Sequence, residues 1–216
     1  MPAVKVTLKG SYNGTISKNF KIVAKDISSV SMDVADKTYA NKKNSYASAP
    51  TLTDTDGKKL AAGKDYEKVL TYKYKNNTNV VVNGTEEPRI AGTEVGKDDI
   101  IPAGTIIEVT AKGIGNYEGT ITREYRITQS SVASAKVTVP AQEYTGKPIT
   151  INEDDMTVKV GKDTLTADDF EIVEGSYQNN TNKGTASFTI RGKGNYGGTK
   201  KVTFSIKTKV FKWWWR

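Results

Sequence analysis

Val4, Val6 and Leu8 alternate with Lys5, Thr7 and Lys9, and beyond a Gly-flanked break Ile16, Phe20 and Ile22 again alternate with polar neighbours. Apolar residues at every second position fall on one face of an extended chain, so the pattern predicts a hairpin with one buried face over residues 4–22. The same pattern returns twice. Glu108–Thr120 ends on Lys112-Gly113-Ile114-Gly115-Asn116-Tyr117-Glu118-Gly119-Thr120, and Ser187–Thr199 ends on Arg191-Gly192-Lys193-Gly194-Asn195-Tyr196-Gly197-Gly198-Thr199. Recurrence of this kind predicts repeated structural modules.

Upstream of the second and third hairpins the register also recurs. Met32 and Val34 match Val137 and Val139, and Tyr39 matches Tyr144, so the inward face is the same in both copies. Asp54-Thr55-Asp56-Gly57 and Gly161-Lys162-Asp163 predict turns, since glycine accepts the positive φ such turns need. Tyr74–Asn79 and Tyr177–Asn182 read as Asn-rich loop tips. The organisation is therefore a closing hairpin of a truncated repeat (1–24), a full repeat (25–129), a second full repeat (130–207) and a basic Trp-rich tail (208–216). The middle repeat carries an insertion over about 80–103 that opens like an added hairpin and belongs on the surface. No stretch predicts a helix. Two strands alone are not stable in water, so the first hairpin is expected to close an earlier repeat or to dock on the next one. The chain starts inside a repeat, which predicts a piece of a longer array.

Composition narrows what these modules can do. Only 36% of the residues are hydrophobic, which suits thin two-layer modules. Cysteine and histidine are both absent, removing disulfides, thiolate chemistry, the commonest metal ligand and the commonest general base. The net charge of +8 is not spread as a basic stripe: residues 130–206 are balanced, and Lys207, Lys209, Lys212 and Arg216 supply half of the excess. A phosphate-tracking groove needs its cations on a folded face, so nucleic acid is not an expected partner. No apolar run approaches the roughly 18 residues that span a bilayer.

The sequence KGxGNYxGTxxxxFxI, read from Lys112 to Ile127 and from Arg191 to Ile206, together with Asp56–Glu67 and Tyr74–Asn79, resembles the tandem bacterial immunoglobulin-like repeats (MBG and Big type) of Gram-positive surface proteins. The resemblance implies an all-β fold of tandem immunoglobulin-like β-sandwich modules, an extracellular cell-surface setting, and a non-catalytic role as stalk or adhesion module. Its alternative implication is a carbohydrate-binding accessory module of a secreted glycan-degrading enzyme. Short strands with turn signals at regular spacing point to a β-sandwich independently.

Candidate binding residues follow from surface chemistry. Tyr117 and Tyr196 sit at Gly-flanked tips and could stack on a sugar ring, but a ring folded back over the end of the sandwich is the preferred reading, because the residue recurs in every copy whatever its neighbours are. Tyr39 and Tyr144 have the same two readings. Trp213, Trp214 and Trp215 among cations could enter a membrane interface or stack on glycans, or could form another strand. The acidic pairs and triplets, Asp54/Asp56, Asp98/Asp99, Glu153/Asp154/Asp155 and Asp168/Asp169, read as solvated turn residues and lack the spacing of a calcium loop. The expected partners are a cell-surface or host glycan, a host protein and neighbouring repeats, with no cofactor, no metal and membrane contact only through the tail. The loop tips and the acidic insertion are the expected binding surfaces.

Overall fold

The computed structural model describes residues 1–208, and these residues are all-β, with three single 3-10 turns and no α-helix among them. Trp213, Trp214 and Trp215 lie outside the described residues. Compactness divides the chain into two units that do not coincide with the sequence repeats. Unit 1 comprises Met1–Val34, Ala49–Thr71 and Val109–Arg123, and unit 2 comprises Ala35–Ser48, Tyr72–Glu108 and the chain from Glu124 onward. The third repeat lies wholly in unit 2, whereas the middle repeat contributes residues to both.

In unit 1, Ala3–Thr7 and Thr15–Asn19 form the expected antiparallel hairpin, with Val6 opposite Ile16. Every residue from Met1 to Val23 is exposed, so this hairpin has its ladder but no cover on its apolar face. The rest of the unit is better packed. Lys25–Asp26 pairs in parallel with Tyr117–Glu118, and Ser31–Asp33 pairs antiparallel with Thr51–Thr53. Ile27, Met32, Leu52, Val109 and Ala111 are buried, the alternation having placed each on an inner face.

In unit 2, the third repeat is a two-sheet module. One sheet holds Lys136–Thr138, Thr157–Val160 and Asp163–Leu165; the other runs in the order Gln142–Glu143, Thr199–Lys207, Gly184–Gly192 and Phe170–Ile172. The two nine-residue strands form its spine, pairing from Gly184 opposite Ile206 to Arg191 opposite Thr199. Their inward residues, Ala186, Phe188 and Ile190 on one and Val202, Phe204 and Ile206 on the other, are each 3% exposed or less, and Val132, Val158 and Phe170 are also buried. Phe188 sits at the middle, its ring centroid 5.3 Å from Tyr177 and 5.9 Å from Phe204.

Local structure repeats where sequence does. Asp26 accepts from Ser28 N at the start of one 3-10 turn and Ser131 Oγ accepts from Ala133 N at the start of another; each turn buries its first residue, Ile27 or Val132. The recurrent hairpin glycines Gly113 and Gly192 answer to close backbone approach. A Cβ on Gly113 would lie 2.8 Å from Glu118 N, and one on Gly192 would lie 2.7 Å from Gly197 N.

The insertion differs from a surface loop. Thr78–Val82 and Thr85–Arg89 form the expected hairpin, turned at Asn83 and Gly84, both at positive φ. Val80, Val95 and Ile101 are nevertheless buried, and Val81 exchanges backbone hydrogen bonds with Ile100. The insertion thus contributes buried side chains and not only solvated loop. The Asn-rich tip is also shorter than its sequence suggests, because Thr71–Tyr74 is a strand. Beyond it, Asn77 Oδ1 accepts from Ala91 N and Asn76 Oδ1 from Ile106 N, so these asparagines clamp neighbouring chain segments.

Candidate functional site

The recurrent hairpin tip performs the same backbone task in each full repeat: it holds the opening strand of its own repeat. Lys25–Asp26 pairs with Tyr117–Glu118, and Ser130–Ser131 pairs with Tyr196–Gly197, both in parallel. The glycine common to both tips suits this approach: Gly119 and Gly198 stand at positive φ, and a Cβ there would lie 3.0 Å from Asp26 Oδ1 and 3.3 Å from Ser131 Oγ.

Within unit 2 the third tip also engages the middle repeat. The Tyr196 ring meets Tyr39 edge-on, with centroids 5.6 Å apart and planes at 83°. Ala103 N donates to Asn195 Oδ1 at 2.8 Å, and Gln129 Nε2 donates to Gly194 O at 2.9 Å. Tyr39 is itself fixed by its N–H, which donates to Thr128 O at 2.7 Å. Burial pushes the phenols of Tyr39 and Tyr196 up, and Asp163 adds to both, so both rings stay neutral over the physiological range. Two successive repeats are therefore joined by an aromatic pair and two hydrogen bonds, while Ser130 N donates to Asn195 O at 3.0 Å within the third repeat.

The tyrosines considered as sugar-stacking residues are placed inward. Tyr117 is 6% exposed and Tyr196 3%. A ring face already covered by protein is closed to a pyranose. In unit 1 the Tyr117 hydroxyl donates to Asp54 Oδ2 at 2.6 Å, and Asp54 also takes the Lys25 ammonium. Lys25, Tyr117 and the Thr55 N–H hold the Asp54 carboxyl far below the usual carboxylate range. In turn the hydrogen bond to Asp54, followed by burial, pushes the Tyr117 phenol up to about 12. A phenol pKa raised on folding favours the folded state fully below the ordinary value of 10.0, and this contribution is lost as pH rises through about 12. Replacing Asp54 with Asn is expected to move one tyrosine of the folded chain down toward the ordinary range, read by phenolate absorbance in an alkaline titration. An unchanged titration would show that Asp54 does not hold Tyr117.

The acidic insertion is a correction. Asp99, expected as a solvated turn residue, is 2% exposed. Arg89 grips it at both oxygens, Nε to Oδ2 at 3.1 Å and Nη2 to Oδ1 at 2.7 Å, while Tyr74 Oη donates at 2.7 Å and Gly96 N at 2.8 Å. Arg89 also pairs with Glu87, and Asp98 pairs with Lys43 at 3.2 Å. Most of the insertion's acids are thus matched within the protein. No signal in the Asp98-Asp99 pair distinguishes the buried member, but Arg89 as the insertion's one arginine is the residue type that supplies a bidentate fork.

The other acidic clusters serve turns. Asp169 Oδ2 accepts from Thr166 N and its hydroxyl, and Glu153 Oε1 accepts from Ile172 N. Among the described residues no group of three or more acidic side chains is placed to hold a metal ion. A cleft of about 350 Å³ lies beside the insertion, lined by Asn77, Thr78, Asn79, Pro88, Arg89 and Ile90. Sequence reasoning missed one further cluster, Tyr46, Tyr72 and Tyr125, stacked edge-on at 5.4 and 6.5 Å with Tyr125 Oη donating to Tyr46 O at 2.6 Å. The alternation of Tyr72 and Tyr74 about Lys73 was its only trace in the sequence.

No family model, curated protein or solved structure matches the chain.

Proposed function

We propose that the chain is a non-catalytic spacer and adhesion module of a bacterial cell-surface protein, built from tandem immunoglobulin-like repeats. The observation that carries this reading is the joint at Tyr39 and Tyr196, where the most recurrent motif of the sequence is used to connect one repeat to the next. A spacer works by keeping successive modules in register, and edge-on aromatic contact with directed hydrogen bonds restricts their motion more than a free linker does. Its setting is extracellular, and its partners are neighbouring repeats and a host protein at its loop tips.

Inward placement of Tyr117 and Tyr196 favours the spacer over a carbohydrate-binding accessory module, which needs exposed aromatic faces in one plane. A glycan array probed with the intact chain tests this. The expected result is no specific signal; selective retention of one glycan class, abolished by substituting aromatic residues, would replace the spacer with the carbohydrate-binding reading.

A further inference from the structure

The third repeat exposes a surface that the middle repeat has covered. Tyr144 stands where Tyr39 stands: each follows a two-residue strand parallel to the closing strand, and each donates its N–H to that strand's last carbonyl, Thr128 O at 2.7 Å or Lys207 O at 2.8 Å. Their surroundings differ. Tyr39 is 9% exposed beneath Tyr196 of the following repeat, whereas Tyr144 is 41% exposed. Lys183 precedes Gly184-Thr185 as Ala103 precedes Gly104-Thr105, and it is the Ala103 N–H that binds Asn195. The Lys183 ammonium lies over one face of the Tyr144 ring, 5.2 Å from its centroid.

From this we infer that Tyr144 and the Lys183 backbone form a docking face for the Gly-Asn-Tyr tip of a further repeat of the same kind, its tyrosine edge-on to Tyr144 and its asparagine accepting from Lys183 N. The occupant is identified by continuity with an existing interface, since the same residue types at the same register already receive such a tip once in this chain. The inference rests on the tandem-repeat reading above and names the contact by which an array would continue.

Nitration of tyrosines, mapped by peptide mass, tests it. In the native chain Tyr144 is expected to react and Tyr39 to be protected. In a variant with residues 130–208 repeated directly after Thr208, Tyr144 should become about tenfold slower, within the range an aromatic pair with accompanying hydrogen bonds supports. Replacing the tyrosine of the added tip with Ala should restore its rate. A second variant that adds residues 25–129 instead, carrying the Asn116-Tyr117 tip, should protect Tyr144 as well. Equal nitration of Tyr144 in the native chain and in both extended chains overturns the docking face while leaving the spacer reading intact. Protection of Tyr144 in the native chain by a glycan overturns both.

Discussion

Replacing Asp99 with Ala lowers the stability of the folded chain by about 3 kcal/mol, read as an earlier midpoint in urea with an unchanged slope. The size follows from what is left behind. Asp99 is 2% exposed, and removing its carboxylate takes away the acceptor of the Tyr74 hydroxyl and the Gly96 N–H and leaves the Arg89 guanidinium with Glu87 as its one carboxylate partner among the described residues. Breaking a buried ion pair from one side costs about 3–5 kcal/mol; the low end applies because the Arg89 side chain keeps 23% of its exposure and can recover some water. Acid should weaken the wild type at the same place. Burial pushes the Asp99 carboxyl up, but Arg89, Tyr74 and Gly96 outweigh it and leave the group below its ordinary value of 3.8. A depressed carboxylate stabilises the fold above that ordinary value, and the contribution is lost as pH falls through the lower folded value. The gap between wild type and Asp99→Ala is therefore expected to be full at neutral pH and to close in acid below 3.8. A gap that persists unchanged there would mean that packing, and not the charge, sets the cost.

Phe188→Ala should be at least as damaging, by about 3–5 kcal/mol, because the ring is fully buried at the middle of the module. Tyr177 and Phe204 flank it, and both are held from other directions. The Tyr177 hydroxyl accepts from Ile151 N at 2.8 Å, and Phe204 lies on the paired strand Thr199–Lys207. A cavity between anchored walls collapses little. Domains of this size are stable by only about 5–15 kcal/mol, so thermal melting should show the third repeat's transition displaced by many degrees or lost. Phe188→Leu fills most of the volume and should recover most of the loss; a Leu variant as unstable as the Ala variant would show that the tilted aromatic contacts with Tyr177 and Phe204 dominate over volume.

The elements whose chemistry is local were legible in the sequence. Alternation at Ala186, Phe188 and Ile190 dictates a strand with one buried face, and the Gly-Asn-Tyr tips dictate tight hairpins, so the all-β fold could be read directly. What depends on a distant partner could not. Asp98 and Asp99 are identical neighbours in sequence, yet only Asp99 meets Arg89 across the insertion, and that meeting decides which one is buried. Tyr39 and Tyr144 occupy equivalent positions with equivalent backbone bonds; their exposure differs because a following tip covers one of them. The division into compact units was equally hidden, since recurrence marks repeated segments and carries no information about which segments pack most densely.

A feature present in every copy invites a functional reading, and here its recurrence has a structural cause. In both full repeats the tip closes on its own opening strand, and in the third its tyrosine and asparagine also reach the repeat before it.

The joint is tested most directly by a double-mutant cycle on Tyr39 and Tyr196. Each is replaced with Ala singly and then together, and the stability of unit 2 is measured by denaturant unfolding. The pair should show a coupling of about 1 kcal/mol, as expected for an edge-on aromatic contact with its attendant hydrogen bonds. Losses that add to within about 0.3 kcal/mol would mean that the two side chains act independently, contradicting a joint between the repeats.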